Sequence, residues 1–107
     1  MNVNAFRRFF NLMITSGGAT GQTITTNVGL GVDTLGANTT GSNDVAVGYQ
    51  ALDVNTTGVS NIGIGANALG ACIVGTTNVS IGTNSLLVHT VSNTTAVGHA
   101  AMTANTT

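Results

Sequence analysis

Charge is the first thing this chain lacks. Two Arg and three Asp are its only charged residues, 5% of 107, where about a quarter is usual for a soluble domain. Both basic residues, Arg7 and Arg8, lie near the N-terminus, so no basic patch is available for a nucleic-acid backbone. Proline is absent, tryptophan is absent, and aromatics make up 4%. Cys72 is alone, which excludes a disulfide within one chain and is compatible with a reducing compartment. There is no run of about 18 apolar residues, so no membrane-spanning helix is predicted. "FRRFFNLMI" (6–14) loosely resembles a twin-arginine export signal, but its apolar stretch is short, Asn11 interrupts it, and no clear cleavage site follows.

Catalytic material is equally scarce. The three carboxylates, Asp33, Asp44 and Asp53, are not gathered by any motif, and His89 and His99 have no Cys or Glu at ligand spacing. Three copies of His99 on a three-fold axis would be the one arrangement able to hold a metal. The position varies between repeats, which reads instead as surface or interchain filler. Fragments such as Gly29–Gly31 and Gly63–Gly65 belong to repeated strands and are not phosphate loops. Cys72 reads as a small side chain in a turn. The expectation is a non-enzymatic protein without cofactor.

What the chain has is a period. "NDVAVGYQAL" (43–52), "NIGIGANAL" (61–69) and "NVSIGTNSL" (78–86) are nearly the same phrase. Anchored on Gly31, Gly48, Gly65, Gly82 and Gly98, the repeats step by 17, 17, 17 and 16 residues. Four residues after each anchor stands a large aliphatic: Leu35, Leu52, Leu69, Leu86, Met102. One before it stand Leu30, Val47, Ile64, Ile81 and Val97; three before it, Val28, Val45, Ile62 and Val79, then Thr95. Between those two columns lie only small residues: Gly29, Ala46, Gly63, Ser80, Ala96. A second glycine recurs at Gly41, Gly58 and Gly75, with Ser92 in the fourth repeat.

Apolar, small, apolar is period-two alternation, which predicts a short strand with its branched residues on a buried face. The anchor glycine predicts a corner requiring positive φ or close approach, and "NTTG" is turn chemistry. Seventeen residues suit one coil of a β-solenoid or β-roll. The predicted class is therefore all-β, a parallel solenoid whose five coils stack about 4.8 Å apart and rise about 24 Å. The Leu column should form one buried ladder and the branched columns a second and third, with Asn and Thr columns bonding to themselves along the stack.

About three large apolar side chains per coil make a thin core, marginal against the entropy of ordering so many small polar residues. Homo-oligomerisation is the economical remedy. The small column is expected to let another chain's backbone approach closely.

The phrases "SNDVAVGYQAL", "SNIGIGANAL" and "TNVSIGTNSL" resemble the head repeats of trimeric autotransporter adhesins, the YadA-like left-handed parallel β-roll. They are still more similar to repeats of phage tail-fibre and virion-fibre proteins. The resemblance covers residues 26–107 and implies an intertwined homotrimer serving as a projecting stalk or surface-binding head, without catalysis. Autotransporters also carry an export signal, a coiled-coil stalk and a C-terminal membrane barrel, which these residues do not display. The expectation is accordingly a virion protein assembled in the host cytoplasm, a trimeric fibre or a capsid or tail decoration. A bacterial surface adhesin head or extracellular filament subunit at the cell surface is the alternative. A host-surface glycan is a further expected partner. An ice-binding solenoid, with Thr39–Thr40, Thr56–Thr57 and Thr76–Thr77 as a flat face, is a third reading, weakened because the pairs fall in turns.

Before the repeats, Phe6, Phe9, Phe10 and Met13 lie at i, i+3, i+4 and i+7, and Ile14 completes an apolar stripe. Asn4 suits a cap and Gly17–Gly18 a stop. Residues 1–16 thus predict a short anchoring or capping helix, too short to be stable alone. Its stripe is expected to plug the roll, to dock on a capsid or tail protein, or to lie on a membrane surface. Residues 17–26 read as a Gly/Thr-rich linker, and 27–107 as the five-coil domain.

Overall fold

The computed structural model describes residues 26–105. The expected N-terminal helix, with Phe6, Phe9, Phe10, Met13 and Ile14, lies outside the described residues. Within them the chain is an all-β parallel solenoid with 17-residue coils and no helix. The strands are β1 (Val28–Leu30), β2 (Val45–Val47), β3 (Ile62–Ile64), β4 (Val79–Ile81), β5 (Val88–His89), β6 (Thr95–Val97) and β7 (Ala104–Asn105). The main sheet runs β1-β2-β3-β4-β6, and β5 pairs with β7 in a second, two-stranded sheet.

Register follows the sequence columns residue by residue. Val28 pairs with Val45, Val45 with Ile62, Ile62 with Val79, and Val79 with Thr95, all in parallel. The anchor glycines from Gly48 to Gly98 also donate one coil back: Gly48 N–H to the Leu30 carbonyl at 2.8 Å, and Gly65 N–H to that of Val47 at 2.7 Å.

These glycines make the corner that the repeat predicts. Their φ angles run from 121° to 132°, a region that L side chains rarely enter. Space is closed as well. A Cβ at Gly31 would lie 2.9 Å from the Gly48 carbonyl oxygen, and one at Gly65 would lie 2.6 Å from the Gly82 carbonyl carbon.

After the corner, two left-handed residues alternate with ordinary ones. Asp33, Gln50, Asn67, Asn84 and Ala100 have φ of 55–59°, a conformation that Asp and Asn tolerate better than most. Leu35, Leu52, Leu69 and Leu86 have φ of 48–54°, which strains a leucine by roughly 1–2 kcal/mol. The strain is outweighed because this turn drives the leucine inward. All four are fully buried and form the spine of the core with Ala46, Ala51, Cys72 and Ala96.

One expectation is overturned here. The strand residue facing the interior is the small middle one, and the branched residues on either side point outward. Gly29, Ala46, Gly63, Ser80 and Ala96 are buried. Val45, Val47, Ile62, Ile64 and Val79 are only half-buried, and Val28, Leu30, Ile81 and Val97 are exposed, Val97 by 66%. The reason is width. A Cβ added at Gly63 would lie 3.3 Å from Leu52 Cγ and 3.1 Å from the Ala68 carbonyl, so the leucines from the turns already fill the interior. A branched side chain has no room there. For the same reason the small column is covered by its own chain and is not the place where another backbone approaches. Met102 departs from its column too: it is 49% exposed, at the last coil, with no further described coil to cover it.

A second correction concerns the short step. Asn61 Nδ2 donates to the Gly75 carbonyl at 2.8 Å, and Asn78 Nδ2, in the same column, donates to Val91 at 3.1 Å. Val91, not Ser92, therefore takes the place of the second glycine. The residue missing from the 16-residue step falls between Leu87 and Val91.

Candidate self-association face and interior polar ladder

Each three-residue strand turns two side chains outward, and the register stacks them. The outward face of the main sheet therefore carries two aliphatic ladders. One is Val28, Val45, Ile62 and Val79, ending in Thr95; the other is Leu30, Val47, Ile64, Ile81 and Val97. No charged residue interrupts either ladder. Contiguous apolar patches of this kind mark interaction sites on soluble proteins. The column beyond the corner is Val32, Tyr49, Ala66, Thr83 and His99, and it continues the uncharged surface, with Val32, Tyr49, Thr83 and His99 exposed.

Inside the coil, opposite chemistry is stacked. Four residues before each anchor stand Asn27, Asp44, Asn61, Asn78 and Thr94. The first four are buried, Asp44, Asn61 and Asn78 completely. Each side-chain oxygen accepts the backbone N–H of the corresponding residue one coil on: Asn27 Oδ1 from Asp44 (2.9 Å), Asp44 Oδ1 from Asn61 (2.8 Å), Asn61 Oδ1 from Asn78 (3.1 Å) and Asn78 Oδ1 from Thr94 (3.0 Å). Each carboxamide also donates its Nδ2 to the carbonyl that closes the Gly turn: Asn27 to Gly41 (2.9 Å), Asn61 to Gly75 and Asn78 to Val91. Buried backbone groups that the short strands leave over are satisfied in this way.

A second interior column holds Asn38, Asn55, Cys72 and His89, all fully buried. Asn38 and Asn55 donate to Gly41 and Gly58 at 3.0 and 3.1 Å, and Asn55 Oδ1 accepts the Gly58 N–H at 3.1 Å. Cys72 is thus an interior residue of this column and not a turn filler. Burial, with a smaller contribution from Asp44, pushes its thiol pKa up against a hydrogen bond from the Gly75 backbone, which disfavours the thiolate that makes a cysteine reactive. Burial, with repulsion from Asp33, also raises the pKa of Asp53.

Asp44 is the exception in its ladder. Burial pushes its carboxyl up to about 6, although hydrogen bonds from Asn61 and Asn55 oppose the shift. Position four before the glycine is legible in the sequence. That this column is buried, and that a carboxylate therefore sits in it, is not.

The other sequence-derived candidates fall apart in space. His89 is buried and His99 is exposed, and among the described residues no group of three metal-binding side chains lies together. Thr39 and Thr56 share a column, but its next member is Ile73: the Thr39 N–H donates to the Thr56 carbonyl and the Thr56 N–H to that of Ile73. Ile73 and Val74 are exposed, and Thr76–Thr77 lies elsewhere in the coil, so no continuous threonine face forms. Among the described residues no helix is long and apolar enough to cross a membrane.

The fold and these columns define a class, the parallel β-solenoids with a side-chain ladder inside each coil. No protein-family model matches the chain, and neither curated proteins nor solved structures give a match.

Proposed function

We propose that this chain is a non-enzymatic structural protein of a virus particle. It assembles as a homotrimeric fibre or capsid or tail decoration that projects a β-roll for surface attachment. The observation that carries the assembly half of this reading is the pair of uncharged aliphatic ladders on the outer face of the main sheet. Inside one coil the core is a single leucine spine with small residues beside it, and the larger share of the branched aliphatic surface is turned to the outside. Packing that face against two further copies completes a core that one chain lacks, and it covers a patch that would otherwise invite non-specific association. The biological setting rests on the resemblance of the "NDVAVGYQAL" and "NTTG" phrases to virion-fibre repeats. In this reading the stripe Phe6, Phe9, Phe10, Met13 and Ile14 docks on a capsid or tail protein, while the roll carries the contact to a host surface, a glycan being the partner suited to its Asn, Thr and Gly chemistry.

Light scattering on the full chain and on a chain starting at Thr15 tests the assembly. The expected outcome is a trimer mass for both. A trimer formed only by the full chain would make the N-terminal segment the clasp and remove it as the docking element. Attachment to particles is then tested without residues 1–16: a folded trimer that no longer attaches is expected, and attachment by the shortened chain would sink the docking role.

A further inference from the structure

Asp44 stands in a ladder built of carboxamides. At every other carboxamide rung, Oδ1 accepts an N–H from the next coil and Nδ2 donates to a turn carbonyl. Asp44 reproduces the first half, its Oδ1 accepting from Asn61 N–H at 2.8 Å and from Asn61 Nδ2 at 3.2 Å. The second half needs a donor, and an ionised carboxylate has none. The carbonyl that corresponds to Gly41, Gly75 and Val91 in this coil is that of Gly58. It is served by Asn55 Nδ2, which also reaches Asp44 Oδ2 at 3.2 Å. The Asn55 bond to Gly58 is the second column's own, since Asn38 donates to the Gly41 carbonyl in the same way beside Asn27; at Gly58 the place of the rung donor is taken by Asp44.

We propose that the neutral carboxylic acid is the form of Asp44 that fits this ladder, with a proton on Oδ2 taking the place of a carboxamide Nδ2–H, so that the joint between the second and third coils is set by a single proton. No charge nearby competes with that proton. The groups around Asp44 are Asn27 from the first coil, Asn55 and the Gly58 carbonyl from its own, and Asn61 and Cys72 from the third. Cys72 is the titratable one, and burial holds it as the thiol. His89 lies next along the Cys72 column. The described residues contain no Lys or Arg, and Asp33 and Asp53 belong to the turn columns beyond the corner.

The direction of the pH effect follows. The folded chain holds this proton with a pKa of about 6, while an aspartate in an unfolded chain titrates near 4. Folding takes up a proton between those values. The contribution is complete only below about pH 4, is lost as the pH rises through about 6, and leaves a weaker joint above it. For a fibre protein this is a device that tightens the roll in mildly acidic surroundings.

The test is equilibrium denaturation of the full chain at fixed concentration, at pH 4 and pH 8, for the natural protein and for Asp44→Asn. Between these two pH values the folding equilibrium constant of the natural protein should fall by roughly 50-fold per chain more than that of the variant, and the variant should be the more stable of the two at pH 8. Carbon-13 NMR of the labelled aspartate carboxyls reads the same group directly, with a midpoint near 6 expected for Asp44. Equal pH slopes for both proteins, a midpoint near 4, or failure of Asp44→Asn to fold would each overturn the proposal. The last would show that the rung requires the carboxylate.

Discussion

The two faces of the same short strands follow opposite rules. On the inner face the side chain is Gly, Ala or Ser and is buried; on the outer face it is Val, Ile or Leu, with Thr95 as the one exception, and is half-buried or exposed. In an ordinary half-buried sheet the large aliphatic side points to the core. The reversal shows that a solenoid core need not be built from its strands. Here it is built from the turns, which send one left-handed leucine per coil across the interior. Strand residues facing that leucine are limited in size, and those facing away are free to serve another surface.

Enlarging the inner face is one of two severe ways to break this contrast. Gly63→Val places branched methyls against Leu52 and the Ala68 carbonyl, where even a bare Cβ is already at 3.1–3.3 Å. Overpacking and the exclusion of a neighbouring coil are expected to cost about 3 kcal/mol, read as loss of the cooperative thermal transition. Gly63→Ala is expected to stay within about 1 kcal/mol of the natural protein, since Ala46 and Ala96 occupy the same column. Equal tolerance of both variants would mean that the interior is wider than the leucine spine implies.

Of comparable size is removal of the turn-borne core. Leu52→Ala deletes a fully buried side chain and should cost about 2–5 kcal/mol by denaturant titration. Met102→Ala, in the same column but exposed, should cost well under about 1 kcal/mol. This pair sharpens the comparison because residue column and backbone conformation are shared, and a large flexible aliphatic side chain is buried at one position and exposed at the other.

The outer face should respond least in the fold of the single chain and most in assembly. Ile64→Ser removes a half-buried aliphatic in the middle of one outward ladder. Its expected cost to the coil is about 1 kcal/mol, with a far-UV spectrum unchanged, while light scattering reports a shift from trimer toward monomer. A variant that keeps the trimer mass at micromolar concentration would separate the aliphatic face from self-association.

Much of this architecture is legible in the residues. The glycine spacing yields the coil length, the Val/Ile pairs mark the strands, and the register joins Val28, Val45, Ile62 and Val79 as the columns require. The corner glycines have the positive φ that their recurrence implies. The Leu35–Leu86 column is buried as its regularity suggests. The polar spine is only half legible: Asn at a fixed distance before each glycine announces a ladder, but Asn and Asp occur equally well in exposed turns. Nothing in "SND" distinguishes the buried Asp44 from the exposed Asp33.

The sequence by itself determines the period, the strand and corner positions and, outside the shortened step before Val91, which residues stack upon one another, because those depend only on spacing and backbone preference. Which side of each strand faces inward is decided only in the tertiary structure. Alternation with period two is the same pattern read from either face, and its direction depends on how much volume the turn leucines leave inside the coil. The burial of Asp44, and with it the proton that its ladder rung calls for, depends on that same enclosure.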